Sequence, residues 1–578
     1  MILFFGDPES KVFALETNDE LDNFSIEKLN WVLNAPFLNK QTIENSFIGS
    51  KSTMISPWST NATEIINNMG ILSVVRIEEF LCIKANQTFD VMIQDKYKDL
   101  NQDIFKSFKA PDKQTLIHDI NEYNDNEGLA LDQNEIDYLN NLSKKLNRKL
   151  TDSEVYGFSQ VNSEHCRHKI FNGRFIIDNN EKEKSLFELI KLTSKKNKNS
   201  IVSAYSDNVA FIKGPKISQF YPQKADTSSY YTKKDIDSII SIKAETHNFP
   251  TTVEPYNGAA TGSGGEIRDR LAGGIGSIPL IGTAVYMTPY SRLNKENLWE
   301  NGFKARKWKY QTPSEILIKA SNGASDFGNC FGQPLICGSI FTFEHSGDDQ
   351  YLGYDKVIML AGGVGFGEAR QSHKKIPQDG NLILMLGGDN YRIGMGGASV
   401  SSTNTGNYDN SIELNAVQRS NPEMQKRVTN TIRALFESKE NPILSIHDHG
   451  AGGHLNCFSE LVESTGGEIY IDALPLGDPS LSYKEIIGNE SQERIGIIIK
   501  ESDYKIVEKI AKRERTPIYI VGKVTNDKKF RVLDRGKKIE SIDLDLKSLF
   551  GDTPKKIISD NTISNNFQKI KYDNNNLE

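Results

Sequence analysis

Cysteine is scarce: five in 578 residues, at positions 82, 166, 330, 337 and 457, with no CxxC pair. An odd, scattered set excludes a disulfide framework and reads as reduced thiols in the cytoplasm, the compartment expected here. Long apolar runs are missing too. None reaches the ~18 residues of a membrane-spanning helix. The apolar opening Met1-Ile2-Leu3-Phe4-Phe5 turns at once into Gly6-Asp7-Pro8, so neither a membrane association nor a signal peptide is expected. Neither charge sign dominates. With 69 basic and 76 acidic side chains the net charge is −7, which argues against nucleic acid as the main partner. No period of about 20 to 50 residues recurs, which excludes a solenoid. The commoner nucleotide cradles are absent as well: no glycine loop ends in Gly-Lys-Ser/Thr, and the densest one does not fit GxGxxG.

What is present centres on Ser241 to Asp269, SIKAETHNFPTTVEPYNGAATGSGGEIRD. An apolar β-type run, Ile239 to Ile242, gives way to polar groups at Glu245 and His247, and Pro250 biases Phe249 towards an extended conformation. Glycines at 258, 262, 264 and 265 then precede Glu266-Ile267-Arg268-Asp269, which reads as a helix start. Strand, glycine loop and helix start together predict an anion site, because glycines let the backbone approach a ligand and helix N-terminal N–H groups attract phosphate. Glu245 and Asp269 supply carboxylates of the kind Mg²⁺ prefers. The alternative is a plain turn.

At about 150 residues per domain the chain should hold three or four. Residues 1–140 read as a small α+β domain with a Pro-Trp loop, Ile55-Ser56-Pro57-Trp58-Ser59, and 119–132 as a polar connector. Residues 141–195 read as a helical linker. It opens on the capping box Thr151-Asp152-Ser153-Glu154 and its helix carries Asn162-Ser163-Glu164-His165-Cys166-Arg167-His168-Lys169. Zinc is a poor reading of that segment, since His165, Cys166 and His168 lack a second cluster; a solvated charged face is the plain alternative. Residues 196–350 would form one domain, with a second glycine–polar loop at 322–329, and 351–550 another. In the latter, Asn421-Pro422-Glu423 starts a helix with the stripe Met424, Val428, Ile432 and Leu435. A strand at 443–446 delivers His447-Asp448-His449 to a glycine turn, where Asp448 is the ion-compatible group and the histidines read as packing or hydrogen-bonding groups. Residues 551–578 read as a linker or disordered tail.

KAETHNFP followed by GAATGSGGEIRD, with SEHCRHK before it and NESQER after it, closely resembles the phosphoribosylformylglycinamidine synthase (FGAM synthase) family, large single-chain type. The resemblance implies a mixed α+β architecture: a small N-terminal domain, a helical linker and one two-domain repeat of the aminoimidazole-ribonucleotide-synthetase-like ATP-binding fold. It implies ATP-dependent conversion of formylglycinamide ribonucleotide and glutamine-derived ammonia to the amidine, with Mg²⁺. Matching positions assign His247 and His165 to catalysis and Glu245, Asp269 and Asp448 to Mg²⁺. ATP would be held by His168, Lys169 and the run Gly258, Ala259, Ala260, Thr261, Gly262, Ser263, Gly264, Gly265, Glu266, Ile267, Arg268 and Asp269. The ribonucleotide would be held by Thr246, Asn248, Arg268, Gln418, Glu490, Ser491 and Gln492. Phe249, Asp389 and Ala398 depart from the family's pattern. No second repeat or glutaminase domain follows, so the implied partner is a second chain carrying both, or another copy of this chain. Another synthetase of the same superfamily, or an inactive interacting fragment, is the competing reading.

Overall fold

The computed structural model describes residues 1–84, 87–107, 109–293, 297–301, 309–346, 351–354, 356–403, 405–491, 493–551 and 555–563. The N-terminal unit is a six-stranded antiparallel sheet. Alternation along its strands sends Phe5, Phe13 and Ile77 to the face covered by helices Asn23–Leu33 and Pro57–Asn68, and Phe4, Phe47 and Phe80 to the other. Pro57 starts the second helix with Ser56 as its cap.

The expected connector at 119–132 contains a helix, Ile120–Glu127, capped by Asp119. Beyond it the linker helix Asp152–Val161 starts on the predicted capping box, and every one of its residues is buried. It ends at Val161, earlier than expected. Asn162 closes it, and SEHCRHK forms a separate single turn, Glu164–Arg167, that stops at His168 with φ 50°.

The next sheet has six strands, in the order Leu335–Thr342, Ile278–Thr288, Ile358–Glu368, Tyr231–Thr246, Ala210–Pro222, Ile201–Ser203. Ile358–Glu368 pairs with both Tyr231–Thr246 and Ile278–Thr288, so the boundary expected at 350 falls instead after this strand. Two helices, Pro255–Leu271 and Pro313–Phe331, cover one face. Both were expected as loops, at 258–265 and 322–329. The other face is open: Leu335–Thr342, an edge strand, is exposed at seven of its eight positions.

The last sheet has seven strands, in the order Ser445–Asp448, Arg494–Ile499, Leu382–Gly387, Ile518–Val524, Gly467–Tyr470, Lys529–Asp534, Ile539–Asp545. The expected βαβ run is a split one, since Leu382–Gly387 lies between Arg494–Ile499 and Ile518–Val524 and is antiparallel to both. One face packs on Pro422–Phe436 and Tyr504–Arg513. The other holds the linker helix and Gly453–Leu461 in one continuous core. The tail also differs from expectation: Ile557–Asp560 is a strand, paired in parallel with Arg174–Ile177 of the linker.

Candidate active site

The glycines of 258–265 do not form a phosphate loop. They lie inside Pro255–Leu271, a helix with 15 buried residues, and none has positive φ. Helical N–H groups such as that of Gly258, which donates to Glu254 O (2.7 Å), are already bonded and cannot cradle an anion. The glycines serve close packing instead. A Cβ on Gly258 would lie 2.3 Å from the carbonyl carbon of Pro250, and one on Gly262 2.9 Å from His247 Cβ. Among the run expected to hold ATP, Ala259, Ala260 and Ile267 are core residues, and Gly264 and Gly265 abut the Phe327 ring and the Glu245 carboxylate respectively. Thr261 and Ser263 are buried with hydroxyls that make no hydrogen bond. Glu266 pairs with Arg270 and accepts from Gln333 (2.7 Å), all three buried.

What the close packing achieves is convergence. The end of strand Tyr231–Thr246 brings Lys243 and Glu245, the end of the buried helix brings Arg268 and Asp269, and the end of strand Ser445–Asp448 brings Asp448. Asn208 ties two of them, its amide donating to Asp269 Oδ1 (3.0 Å) and Asp448 Oδ1 (2.7 Å). Lys243 Nζ stands 2.9 Å from Asp269 Oδ2. Burial and the Asp269 charge push Glu245 well above the usual carboxylate range. Asp269 itself is held low: burial works against it, but Lys243 and hydrogen bonds from Glu245 and Asn208 prevail. Burial, then Asp269, raises Asp448 to about 6. Glu245 Oε2 is buried with no hydrogen-bond partner.

His247 follows the strand end, its N–H donating to Met359 O (2.9 Å) and its carbonyl accepting from Thr251 Oγ1 (2.6 Å). Burial, then the neighbouring His165, lowers its pKa to about 3, and Nδ1 is unpartnered. His165 is brought alongside from the linker turn. Surrounding protein, then His168 and Lys243, hold it down to about 4 although its surface remains open to solvent. Behind Asp448, His447 bridges to Glu460 through Nε2 and to Asp448 O through Nδ1 (2.9 Å). Burial lowers the pKa of that imidazole, but the Glu460 carboxylate outweighs burial and raises it well above the usual histidine range. His449 and His454 form a buried chain, 2.9 Å apart, that ends on Asn390 Oδ1 (2.8 Å).

Other expected residues are placed differently. Lys169 is engaged by Glu135 (2.7 Å), and His168 stacks on Phe187. Arg268 is buried and donates to Gln425 (2.7 Å), which sequence reasoning missed. Glu490 is buried and accepts backbone N–H groups of Ala398 (3.0 Å) and Gly452 (2.9 Å), so it ties two turns together. Gln418 is buried against Gly394, Thr246 is exposed, and Asn248 Oδ1 accepts from Met359 N (3.1 Å). Ser491 N donates to Asn489 Oδ1 (3.3 Å). Gln492 lies outside the described residues. Lys243 was also missed, although it shares the strand face of Glu245 two positions on. Nothing local pointed to Asn208.

Residues 10–116 match the description "Formylglycinamide ribonucleotide amidotransferase N-terminal", 120–169 match the linker domain of the same family, and 378–535 match "AIR synthase related protein, C-terminal domain". The phosphoribosylformylglycinamidine synthase of Dictyostelium discoideum is 36% identical over 549 residues, which is 89% of this chain and 40% of that protein. The chain thus spans well under half of that relative's length. Among solved structures, Thermotoga maritima PurL complexed with FGAR has a TM-score of 0.54 at 23% identity, over 76% of this chain and 59% of its own. The same protein complexed with ATP gives 0.50 at 21%, over the same shares. These two likenesses establish the fold. The three matched stretches and the Dictyostelium identity make the chain similar to the formylglycinamide ribonucleotide amidotransferase (phosphoribosylformylglycinamidine synthase) family.

Proposed function

We propose that the chain is the first synthetase repeat of an FGAM synthase, and that ATP, Mg²⁺ and formylglycinamide ribonucleotide meet where Glu245, Asp269 and Asp448 converge beside His247 and His165. That convergence from separate elements is the observation that carries the reading. In the reaction, ATP phosphorylates the amide oxygen and ammonia displaces the phosphate.

Among the described residues, no group of three or more His, Cys, Asp or Glu side chains stands ready to hold an ion. The metal in this proposal is nucleotide-borne, since Mg²⁺ usually takes one or two carboxylates and completes its shell with phosphate and water. The donor set fits: hard oxygens, one of them the unpartnered Glu245 Oε2, and a cluster whose mutual repulsion a cation would relieve. When bound, Mg²⁺ neutralises phosphate oxygens. The chain's own part is to hold the carboxylates at their strand ends and to release Asp269 from Lys243, whose ammonium is then available to an anion. His247 is neutral across the working pH range, so it suits hydrogen-bond donation to developing charge better than proton abstraction.

The partner is a second synthetase repeat. The exposed sheet supports it: Ile336, Ile340 and Phe341 on the edge strand, Leu280 on the strand beside it and Ile242 on Tyr231–Thr246, two strands further in, are exposed apolar side chains of a kind that monomers rarely leave bare in number. In the enzyme assembled with that partner, Glu245→Ala or Asp448→Ala should abolish Mg²⁺-dependent turnover without loss of fold. Wild-type rates at limiting Mg²⁺ in either variant would sink the assignment.

A further inference from the structure

The turn that carries His165 has little to hold it by itself. Glu164–Arg167 is a single helical turn, closed by Arg167 N to Ser163 O (3.0 Å), His168 N to Glu164 O (2.9 Å) and Cys166 N to Ser163 Oγ (3.3 Å). So short a helix is unstable alone, because nucleation costs more than one turn returns. Besides the Lys169–Glu135 pair and the His168–Phe187 stack, its support comes from the other end of the described chain. Before the turn, Asn162 Nδ2 donates to Leu549 O (2.8 Å). Within it, the Arg167 guanidinium lies 4.5 Å from the centroid of the Phe550 ring. Arg167 Nε and Nη2 are buried without hydrogen-bond partners, so this ring contact is a main anchor of that side chain. After the turn, Arg174 N donates to Lys556 O (2.8 Å), and Ile557–Asp560 runs in parallel register with Arg174–Ile177. Thr562 N then fastens to Asp178 Oδ1 (2.6 Å). A Cβ on Gly173 would lie 2.8 Å from Lys556 O, so the close approach needs glycine there.

We propose that Leu546–Phe550 and Ile557–Asp560 act as a strap that positions the Ser163–Lys169 turn, and with it His165, beside the carboxylate cluster, with Phe550 as the principal positioning residue. The functional half rests on the proposed reading of that cluster as the nucleotide site. A desolvated cation–ring contact is strong enough to shift local opening by roughly tenfold or more.

The test uses the full chain and three variants: Phe550→Leu, Phe550→Trp and Ile558→Asp. Hydrogen exchange is read at the Cys166, Arg167 and His168 amides, with the Ile497 amide reporting the intact core. Exchange at the three turn amides should quicken about tenfold in Phe550→Leu and Ile558→Asp and stay near wild type in Phe550→Trp, with Ile497 unchanged. Because Ile558 lies outside the core, Ile558→Asp decides the matter if Phe550→Leu loosens Ile497 as well. Unchanged turn amides over an intact core would overturn the strap. Calorimetric titration of ATP with Mg²⁺ then reads the function: affinity should weaken in the loosened variants by a similar factor. Equal affinity despite a loosened turn would overturn the positioning role. Absence of ATP binding in the wild-type chain would count against the proposed site, while the exchange result would still decide the strap.

Discussion

Glu490 shows how burial and hydrogen bonding compete at one carboxyl. Backbone N–H groups favour its charge, yet burial outweighs them and raises its pKa to about 7. An acid whose folded pKa is raised binds its proton more tightly in the folded state. Its stabilisation is therefore full below the ordinary value of 4.5 and is lost as pH rises towards about 7. Glu490→Gln removes that titration. Denaturant unfolding at pH 5 and pH 8 should show the variant gaining on wild type by about 3 kcal/mol between the two, on top of any pH-independent cost of losing an acceptor. A parallel pair of pH profiles would contradict it. At His247 the expectation is different. His247→Ala should lower the maximal rate of the assembled enzyme by more than it weakens nucleotide binding. With a pKa of about 3, the wild-type His247 should contribute no limb to the rate profile between pH 6 and 9. A rate unchanged by the substitution removes it from the site.

Elements whose signals are local were legible in the sequence. The capping box at Thr151 and the Asn421-Pro422 start both appear as read, and Met424, Val428, Ile432 and Leu435 are all buried. Strand ends carrying Glu245 and Asp448 were legible for the same reason, because an apolar run turning polar marks the rim of a sheet. The glycine-rich stretches were not. Glycine permits positive φ and also permits close backbone approach, and a sequence does not say which is used. Here the second use prevails: a Cβ on Gly323 would lie 2.0 Å from Tyr256 O, backbone that cannot step aside. Gly323→Ala should therefore destabilise by about 1–3 kcal/mol or more, although alanine in an open helix would stabilise by up to about 1 kcal/mol. A thermal midpoint that rises in this variant would remove the packing account. The strand Ile358–Glu368 was misassigned because burial alone does not reveal which sheet a strand joins.

At the scale of the whole molecule, the N-terminal unit is fastened by charge rather than by a shared core. Asp90 pairs with Arg419 (2.7 Å), and Glu64 reaches both Arg427 (2.5 Å) and Arg515 (2.9 Å). The open sheet face is a different kind of surface. A stable pairing of two such repeats would bury roughly 1,600 Å² or more. Light scattering of the purified chain should accordingly report oligomers or aggregates, and a defined complex once a chain bearing the second repeat is added. A well-behaved monomer with full glutamine-dependent activity would refute this account.

The linker helix Asp152–Val161 has one more consequence, for the order of events at the ribosome. Thr151 Oγ1 donates to Ser541 O across 390 residues, and the helix packs against Ile542 in a core that also needs Val532 and Leu544. Translation at about 5–20 residues per second leaves an interval of roughly 20–80 s between the helix and its docking surface. During that time Val155, Phe158 and Val161 have no native partner strand to cover them. Holdase chaperones should therefore engage nascent chains most strongly between emergence of this helix and completion of the final hairpin.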